Sequence, residues 1–488
     1  MKKHTKIAVI GSGLGSLTTA SLLANDDHQV TVFEQNYLPG GCTSSYYRKG
    51  FIFETGATTV VGLGKDMPLQ YLLDRTKVQI DTTVLPIPMQ IILKDGTRLT
   101  RYHDLNEWIE EAEHVFGPEN QRAFWQYCYK ISRFVWTNSL AQKTFPPNRI
   151  RDLGQLLHNF SFKQLSHIPL SFISTQKLLH KFNLHNNERF VQFVNEQLLI
   201  TAQNHAGEVN ALFGATALCY TNEHNYYVYG GLIQLVRPFC EFIEKKGGQV
   251  LLKTGIEAIN RENGKYSLKT EKGEEWTADY VVSGLPINNT LKIFDNAKLN
   301  KRYEKKLMRS KELNSAFQVG IGIKRYYKIE CLHHQIHLSE GFPVLGGASV
   351  FVSFSHPKDW TRCPLDQYVL SITTHIPDPK SYQGFDKEKL CQLIFQELEQ
   401  HKLLRQEDII YYHASESSDW ERWTKREWGF VGGYPQYMKI KPWEMIGARL
   451  DGHKAYICGD TTYPGQGIPG VCLSGINAYH KMKIDGLK

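Results

Sequence analysis

The sequence predicts an α/β protein in which a parallel sheet, built from both ends of the chain, carries an inserted α+β unit. Near the N-terminus a short apolar run is followed by a glycine turn, a helical pattern and a second apolar run. Near the C-terminus a strand-like run is followed by an acid, several glycines and a helical pattern. Between these ends lie a long helical stretch and several alternating runs, which are typical of half-buried antiparallel strands.

Length and composition favour two closely connected domains. A chain of 488 residues is longer than one hydrophobic core usually supports, and its 41% hydrophobic and 22% charged residues are ordinary for a globular protein. The formal charge of +8 is compatible with an anionic cofactor or a membrane surface. Because no zinc-finger, RNP or basic-zipper motif is present, we expect no nucleic-acid partner.

The cysteines and the apolar runs bear on location and on metals. The nine cysteines are scattered and never spaced as C-x-x-C, which predicts free thiols in a reducing compartment and no metal site. Cys331 with His333, His334 and His337 matches no usual zinc spacing. No apolar run is long enough to span a bilayer, and the first residues do not resemble a signal peptide. We therefore expect a cytoplasmic location.

The N-terminal unit has the order that dinucleotide binding requires. KIAVI, residues 6–10, predicts a buried parallel strand, and GSGLGS follows it. Gly11 permits the tight turn, Gly13 lets the backbone approach a diphosphate, and the next helix directs its free amide groups at that diphosphate. Glu34 ends the second strand, where a carboxylate can accept both ribose hydroxyls. Ser16 stands at the third glycine position of the usual pattern, and it is small enough for close helix packing.

The segment after the second strand indicates a cofactor larger than NAD. It reads LPGGCTSSYYRKGFIFETGATTVVG, where a nicotinamide-dependent dehydrogenase would soon continue with its third strand. At these residues the sequence resembles the flavin-binding family of carotenoid desaturases, carotenoid cis-trans isomerases and retinol saturases. The resemblance implies FAD as the cofactor, bound by a Rossmann-like domain of the glutathione-reductase type. Amine oxidases, which are more distantly related, commonly have Arg where this chain has Cys42.

The C-terminal segment predicts the second half of the cofactor site. AYICGD is expected to be the last strand of the parallel sheet, and Asp460 at its end can accept a hydroxyl of the flavin's ribityl chain. Gly465 to Ile468 permit a close backbone approach, and Pro469 suits the first turn of a helix. The family resemblance and these motifs together give one set of expected cofactor-binding residues, namely Gly11, Gly13, Leu14, Gly15, Glu34, Gln35, Gly41, Cys42, Thr58, Ile256, Asp460, Gly467 and Ile468.

The middle of the chain predicts a substrate domain. We expect the FAD-binding domain over residues 1–89, 212–299 and 440–488, and the substrate domain over 90–211 and 300–439. QIILKDGTRLTRYHD reads as a hairpin, and the later alternating runs predict a sheet that forms the floor of a cavity under a lid of helices. The segment from Trp420 to Tyr437 is rich in aromatic residues, which is equally typical of a tunnel wall and of ordinary core.

The resemblance implies an oxidoreductase that desaturates, saturates or isomerises a carotenoid-like polyene by hydride exchange with flavin N5. A flavin amine oxidase and a non-catalytic lipid- or prenyl-binding protein are the alternatives. No catalytic residue is assigned, although Glu54 and Tyr463 lie in segments expected near the flavin ring. We also expect an external electron acceptor or donor and peripheral membrane contact, because residues 143–181 hold six basic residues and one acid among apolar ones.

Overall fold

The computed structural model describes residues 5–158, 166–294, 296–325, 329–338, 340–342, 348–382 and 384–488. Its strands are β1 (Lys6–Ile10), β2 (Gln29–Phe33), β3 (Ser45–Arg48), β4 (Phe51–Glu54), β5 (Thr82–Val84), β6 (Met89–Ile92), β7 (Arg98–Arg101), β8 (Tyr226–Val228), β9 (Gln249–Leu251), β10 (Ile256–Glu262), β11 (Lys265–Thr270), β12 (Glu275–Ala278), β13 (Tyr280–Ser283), β14 (Asn314–Lys324), β15 (His333–His337), β16 (Ser349–Phe354), β17 (Gln367–Pro377), β18 (Ile409–Ser415) and β19 (Ala455–Ile457). The α-helices are α1 (Leu14–Asn25), α2 (Pro68–Thr76), α3 (Leu105–Phe116), α4 (Gln121–Ala141), α5 (Ile150–His158), α6 (Thr175–Lys181), α7 (Glu188–Ala202), α8 (Ala211–Leu218), α9 (Ile233–Lys245), α10 (Ile287–Ile293), α11 (Ala297–Tyr303), α12 (Lys387–Gln400), α13 (Ser417–Thr424) and α14 (Ile468–Ile484).

A five-stranded parallel sheet brings the two ends of the chain together. Its strand order is β19-β13-β1-β2-β9, so the last strand of the chain lies two places from the first. Helices α1, α9 and α14 pack with it in one hydrophobic cluster. Because helices cover such a sheet, its central strands are apolar on both faces, which is why KIAVI reads as a continuous apolar run. The parallel sheet predicted from the sequence is therefore present.

Small residues set the close contact between α1 and α14. A Cβ atom added to Gly475 would lie 2.3 Å from the carbonyl oxygen of Gly15, and one added to Gly15 would lie 3.0 Å from the carbonyl oxygen of Val471. Thr19 Oγ1 donates a hydrogen bond of 2.9 Å to the Gly475 carbonyl oxygen across this contact. Ser16 at the third glycine position is buried, and the Gly284 backbone leaves the space for its hydroxyl.

The inserted unit contains a seven-stranded mixed sheet of order β18-β14-β17-β16-β15-β6-β7. The predicted hairpin is present as β6 and β7, and the sheet is antiparallel except where β15 pairs with β6. Helices α3, α4, α6, α7 and α8 enclose a second hydrophobic cluster beside it. The buried Trp108 and Trp125 rings of that cluster contact each other edge to face at 5.0 Å.

The sequence predicts half-buried strands, whereas β14 is buried along almost its whole length. One of its faces belongs to a cluster with α12 residues such as Ile394 and Phe395. Its other face approaches Phe51 and Phe53 of β4, because Gly320 and Gly322 leave room for the two rings. Packing on both sides, which the alternating pattern does not encode, therefore buries a strand that the sequence predicts to be half-buried.

The strands of the parallel sheet and of the mixed sheet come from different stretches of the chain. The parallel sheet uses residues near 6–33, 249–283 and 455–457, and the mixed sheet uses residues 89–101 and 314–415. The predicted domain boundaries themselves stay a prediction. Within the described ranges, no helix is both long enough and apolar enough to cross a membrane.

Candidate cofactor and substrate site

A cavity of about 500 Å³ extends from the parallel sheet to the mixed sheet. At one end it is lined by the first turns of α1 and α14 and by the loops after β1 and β19. At the other end its walls are α4, α7 and α8 on one side and β14, β16 and β17 on the other. Helices facing a sheet across a cavity are the arrangement that the sequence analysis predicts for the substrate domain.

The first half of the site is the glycine turn before α1. The Gly11 amide donates a hydrogen bond of 2.7 Å to the Phe33 carbonyl oxygen, which closes the turn against β2. Gly13 precedes the helix, and no side chain caps the helix N-terminus. The first amide groups of a helix have no partner within the helix, and the aligned peptide dipoles favour negative charge there. Gly13, Leu14 and Gly15 all line the cavity.

The acid after β2 holds the glycine turn in place. Ser12 donates to the Glu34 carboxylate twice, from its backbone amide at 2.8 Å and from its hydroxyl at 2.5 Å, and the Asn36 amide donates at 2.9 Å. Glu34 is 5% exposed and lies outside the cavity lining. It therefore has a structural role that the sequence analysis did not foresee, and its contact with a ribose stays a prediction.

The second half of the site is the loop after β19 together with the start of α14. Gly467, with φ at +82°, precedes the helix, and Pro469 occupies its first turn without any side-chain cap. The predicted position of the proline is confirmed. Ile468 and Gly467 line the cavity, as does Asp460, which lies three residues beyond the end of β19 and not at the end of the strand as the sequence predicts. Two helix N-termini thus open onto the same cavity, one from each end of the chain.

Asp460 is held by an arginine that the sequence analysis missed. Arg426 Nη1 donates to Asp460 Oδ2 at 2.8 Å, and both side chains are largely buried, at 13% and 14% exposure. Burial alone would lower the pKa of the Arg426 guanidinium, but the negative charge of Asp460 outweighs the effect of burial and raises that pKa. Cys42 lines the same cavity as both groups, and burial raises the pKa of its thiol.

The structure brings most of the expected cofactor residues together. Thr58 lies on the cavity wall, and its hydroxyl accepts a hydrogen bond of 2.8 Å from Ser353 Oγ. The expected residues on the wall are Gly13, Leu14, Gly15, Cys42, Thr58, Asp460, Gly467 and Ile468. The expected residues outside the lining are Gly11, Glu34, Gln35, Gly41 and Ile256.

Two of the residues outside the lining have a clear structural position. An added Cβ atom on Gly41 would lie 3.9 Å from the Gly13 Cα, so Gly41 is directly behind the glycine turn. The Ile256 side chain is buried in a hydrophobic cluster that includes Phe33 and Leu268. A role for Ile256 in cofactor binding could therefore involve only its backbone.

The far half of the cavity is mostly apolar. It is lined by side chains from α4, α7, α8 and the mixed sheet, namely Val135, Trp136, Ile200, Leu212, Phe213, Ala217, Ala316 and Phe351. Trp420, Val431 and Gln436 also line the cavity, so the aromatic-rich segment contributes to its wall as well as to the core. The sequence did not distinguish between these two positions, because aromatic residues are typical of both.

A polar group lies at the junction of the two halves. Gln203 Nε2 donates a hydrogen bond of 3.1 Å to His375 Nε2, and both residues line the cavity. Burial lowers the pKa of His375 to about 4, so its imidazole is neutral at pH 7. Gln203 and Gln466 converge on Gly432, whose missing side chain provides the space for them. A neutral histidine and amides can orient a substrate without adding charge to the cavity.

Glu54 and Tyr463, the two candidates near the expected flavin ring, have different surroundings. Glu54 is buried in an ion pair with Arg362 at 2.8 Å and also accepts from Ser45 Oγ, and it does not line the cavity. Tyr463 does line the cavity, where burial raises the pKa of its hydroxyl to about 12 and its ring lies 4.8 Å from the Phe145 ring. Tyr463 is therefore the candidate that can reach a bound molecule.

The histidines near Cys331 have structural roles in the mixed sheet. His333 Nδ1 is within 2.8 Å of Ser353 Oγ, and His334 Nε2 is within 3.0 Å of the Cys331 carbonyl oxygen. Burial lowers the pKa of His333 to about 3 and that of His334 to about 4. Among the residues that the structure describes, no three His, Cys, Asp or Glu side chains are grouped as ligands for a metal ion.

The residues that are present fit FAD. A Cβ atom added to Gly13 would meet no protein atom within 4 Å, so the cavity has free space beside the turn. The uncapped N-termini of α1 and α14 offer amide donors and positive dipole ends, which suit an anionic diphosphate and a flavin that gains negative charge on reduction. The apolar half that adjoins them has the character of a site for a lipophilic substrate.

Comparison with known proteins gives the same picture for nearly the whole chain. The model of a family described as flavin containing amine oxidoreductase matches residues 17–478. Prolycopene isomerase 2 of an Oncidium hybrid cultivar is 24% identical over 98% of this chain and 83% of that protein. A 4,4'-diapophytoene desaturase of a Methylomonas species is 23% identical over 96% of this chain and 92% of that protein.

Solved structures show the same fold. Putrescine oxidase, in a double mutant with redesigned cofactor binding, matches with a TM-score of 0.66 and 14% identity, over 98% of this chain and 99% of that chain. At this identity the likeness extends to the fold alone. The five-stranded parallel sheet and the mixed sheet described above thus belong to an architecture that putrescine oxidase shares.

Proposed function

Because the chain belongs to the flavin-containing amine oxidoreductase family and is an FAD-dependent oxidoreductase, we propose that its substrate is a long conjugated polyene of the carotenoid class. The observation that carries this proposal is the apolar half of the cavity, which opens directly onto the two helix N-termini. A polyene has no group that forms ion pairs or strong hydrogen bonds, so its binding must come from apolar contact area. The names of the isomerase and desaturase relatives support the same substrate class.

The cavity is poorly suited to an amine. Of the described residues that line it, only Asp460 is a carboxylate, and the ion pair with Arg426 already neutralises that charge. An ammonium group taken into such a cavity would lose its hydration without gaining a partner, which is costly. This favours the polyene over the amine oxidase alternative. The two uncapped helix N-termini likewise favour a flavoenzyme over a non-catalytic lipid carrier.

We assign roles to the residues as follows. Gly13, Leu14 and Gly15 would hold the diphosphate of FAD, Asp460 its ribityl chain, and Gly467 with Ile468 the edge of its ring. The helices and the mixed sheet would hold the polyene and exclude water, and the Tyr463 ring would pack against it at the junction, beside the uncharged Gln203–His375 pair. Bound FAD supplies hydride transfer at its N5 position.

The direction of the reaction decides whether an electron partner is needed. Desaturation moves two electrons from the polyene to the protein, so an external acceptor must remove them. Saturation needs an external donor, and isomerisation requires no net transfer. We propose that this partner reaches the cofactor by collision at the protein surface.

We further propose that the polyene enters from a membrane surface. Ile150, Leu153, Ile168, Phe172 and Trp443 are exposed apolar residues. We propose that they belong to one surface, which we call the apolar face. The Phe172 and Trp443 rings lie 5.4 Å apart, and Pro442 and Met445, on either side of Trp443 in the sequence, line the cavity. Residues 159–165 of the basic segment lie outside the described residues. Flotation with anionic vesicles should be lost in Phe172→Glu/Trp443→Glu, and unchanged flotation would contradict this entry route.

The test of the proposed function is the pigment made by cells that express the protein. The protein is expressed in cells that make different carotenoid precursors, and each pigment is identified by mass spectrometry and by its retention on a column. Loss of two hydrogens indicates desaturation, gain of two indicates saturation, and an unchanged mass with a new retention time indicates isomerisation. Flavin-loaded protein that alters none of the polyenes, yet produces hydrogen peroxide from amines, would overturn the proposal.

A further inference from the structure

We propose that Arg426 is a cofactor-binding residue whose guanidinium binds the diphosphate of FAD while it holds Asp460 in place. The loop that carries Arg426 lies far from both glycine motifs in the sequence, so no cofactor pattern includes it. In the structure Arg426 lines the cavity together with Gly13 and Asp460. It is the one permanently charged cation among the described residues of the cavity wall.

The position of Arg426 is fixed by its surroundings. Arg426 follows helix α13, whose C-cap residue, Lys425, has a left-handed backbone conformation with φ at +56°. The Gly429 amide donates to the Arg426 carbonyl oxygen at 2.9 Å, and the guanidinium carbon lies 5.2 Å from the centre of the buried Phe430 ring. A Cβ atom added to Gly433 would lie 2.4 Å from the Asp460 carbonyl oxygen, so this loop packs tightly against the loop after β19.

The guanidinium has donors left for a ligand. It has five N–H donors in a rigid fork, and the bond to Asp460 uses one of them. Within the ranges that the structure describes, Asp460 is the only carboxylate in ion-pair distance of Arg426. Because a planar fork can bind a carboxylate on one edge and a phosphate on another, Arg426 can hold both at once.

The location of Arg426 indicates the diphosphate. A Cβ atom added to Gly56 would lie 3.1 Å from the Cys42 carbonyl oxygen and 3.5 Å from the Trp420 ring, so α13, which leads into Arg426, lies against the segment of Cys42. Cys42 directly follows Gly41, which packs on Gly13 at the first turn of α1. The guanidinium therefore lies beside the helix N-terminus at which the diphosphate is expected. The ion pair alone leaves this wall without net charge, and a diphosphate adds two negative charges. A guanidinium in contact with the diphosphate would add its charge to the stabilisation that the helix dipole gives.

The experiment compares the affinities of folded variants for FAD and for ADP, which shares the diphosphate and lacks the flavin. The variants are Arg426→Met, Arg426→Lys and the double variant Arg426→Met/Asp460→Asn. Arg422→Met is the matched control, because Arg422 lies on α13 with its side chain 76% exposed. Affinities are measured by fluorescence and calorimetry on protein freed of flavin, and circular dichroism checks the fold. No polyene is needed, so the result does not depend on the substrate proposal.

We expect Arg426→Met to weaken FAD and ADP in parallel, by at least about tenfold, while Arg422→Met changes neither. For ADP, which lacks the ribityl chain that Asp460 is expected to hold, the double variant should remain as weak as the single one. Unchanged ADP affinity in Arg426→Met would overturn the proposal, even if FAD binds more weakly. Recovery of ADP affinity in the double variant would also overturn it, because Arg426 would then act only by neutralising Asp460.

Arg426→Lys decides the question if the methionine variants do not fold. A lysine keeps the charge opposite Asp460 and should preserve the fold, but it lacks the fork that binds two anions in fixed geometry. We expect FAD and ADP to bind this variant at least about threefold more weakly than the wild type. Equal ADP affinity in the lysine variant and the wild type would contradict the diphosphate contact.

Discussion

At the level of single residues, the glycines around the cofactor half of the cavity have two different tasks. Gly475 permits α14 to approach α1, because an added Cβ atom would collide with the Gly15 carbonyl oxygen. Gly13, by contrast, has free space beside it and a backbone with φ at −59°, which any residue can adopt. Substitution by alanine should therefore separate a structural glycine from one that serves the cofactor.

We predict that Gly13→Ala folds normally and loses FAD. The added methyl group meets no protein atom, so the free energy of unfolding of the flavin-free protein should stay within about 1 kcal/mol of the wild-type value. The same methyl group would occupy the space beside the turn where the diphosphate is expected, so FAD affinity should fall at least about tenfold. Flavin absorbance of the purified protein measures the loss. A Gly13→Ala protein with full flavin content would show that the diphosphate lies elsewhere.

Gly475→Ala is the matched comparison. Here the methyl group forces α14 away from α1, and such overpacking typically costs about 1 to 3 kcal/mol. Both the unfolding temperature without flavin and the flavin content should decrease. If Gly475→Ala resembled Gly13→Ala, with a stable fold and a loss of FAD alone, the helix contact would not have the structural role described.

At the level of elements, a buried ion network attaches α5 to the C-terminal helix. Asp152 of α5 is fully buried and contacts Lys481 Nζ at 2.7 Å and Arg449 Nη1 at 2.6 Å. Arg449 also contacts Asp485, near the end of the chain, at 2.6 Å. Ile150 and Leu153 of the apolar face lie on the same helix. The network thus attaches α5, with its exposed Ile150 and Leu153, to the C-terminal part of the chain through buried charged contacts.

The network predicts a defined acid sensitivity. Burial raises the pKa of Asp152, but hydrogen bonds from Arg449, the Asn148 amide and Lys481 outweigh it, and the pKa falls to about 2. The ordinary value is about 3.9, so the stabilisation is fully present above pH 4 and is lost as the pH falls towards 2. For this one group the loss is about 2 to 3 kcal/mol.

Asp152→Asn should remove that part of the acid response. At pH 7 the variant leaves Lys481 and Arg449 with one carboxylate fewer. Its free energy of unfolding should therefore be lower by about 3 to 5 kcal/mol, and it should unfold at a lower temperature. Between pH 4 and pH 2 the midpoint temperature of its thermal unfolding should change less than that of the wild type. Asp74→Asn, at an exposed position of α2, is the control. Parallel pH profiles for Asp152→Asn and wild type would contradict the network's contribution.

At the level of the whole molecule, every cysteine is at least partly shielded from solvent. None of the nine forms a disulfide, eight are buried and Cys42 is half-buried. Burial raises the pKa of all nine thiols, which decreases the fraction of reactive thiolate at neutral pH. The sequence predicts free thiols, and the structure confirms this for the whole set.

We predict that the native, flavin-loaded protein reacts slowly with a thiol reagent at pH 8, and that nine thiols react after denaturation. Among the cysteines that the structure describes, only Cys42 lines the cavity. Removal of FAD should therefore accelerate the reaction of one thiol, and Cys42→Ser should abolish that increment. A rapidly reacting thiol that persists in the loaded Cys42→Ser protein would indicate a surface cysteine, contrary to the structure.

The sequence by itself determined the parallel sheet, the glycine turn and the start of the last helix. Strand periodicity, left-handed glycines and proline at a first helical turn depend on a few neighbouring residues, so they can be predicted locally. It also named thirteen expected cofactor-binding residues, of which the structure places eight on the cavity wall, and their contact with FAD stays a prediction.

Only the tertiary structure decided how distant segments meet. The ion pair of Arg426 with Asp460, the bonds from Ser12 to Glu34 and the burial of both faces of β14 join segments whose separate patterns carry no sign of each other. Such contacts depend on how helices and sheets pack in three dimensions, where neighbours are set by volume and charge and not by sequence distance. For that reason the glycine motifs could be recognised in the sequence, whereas the place of Arg426 in the site could not.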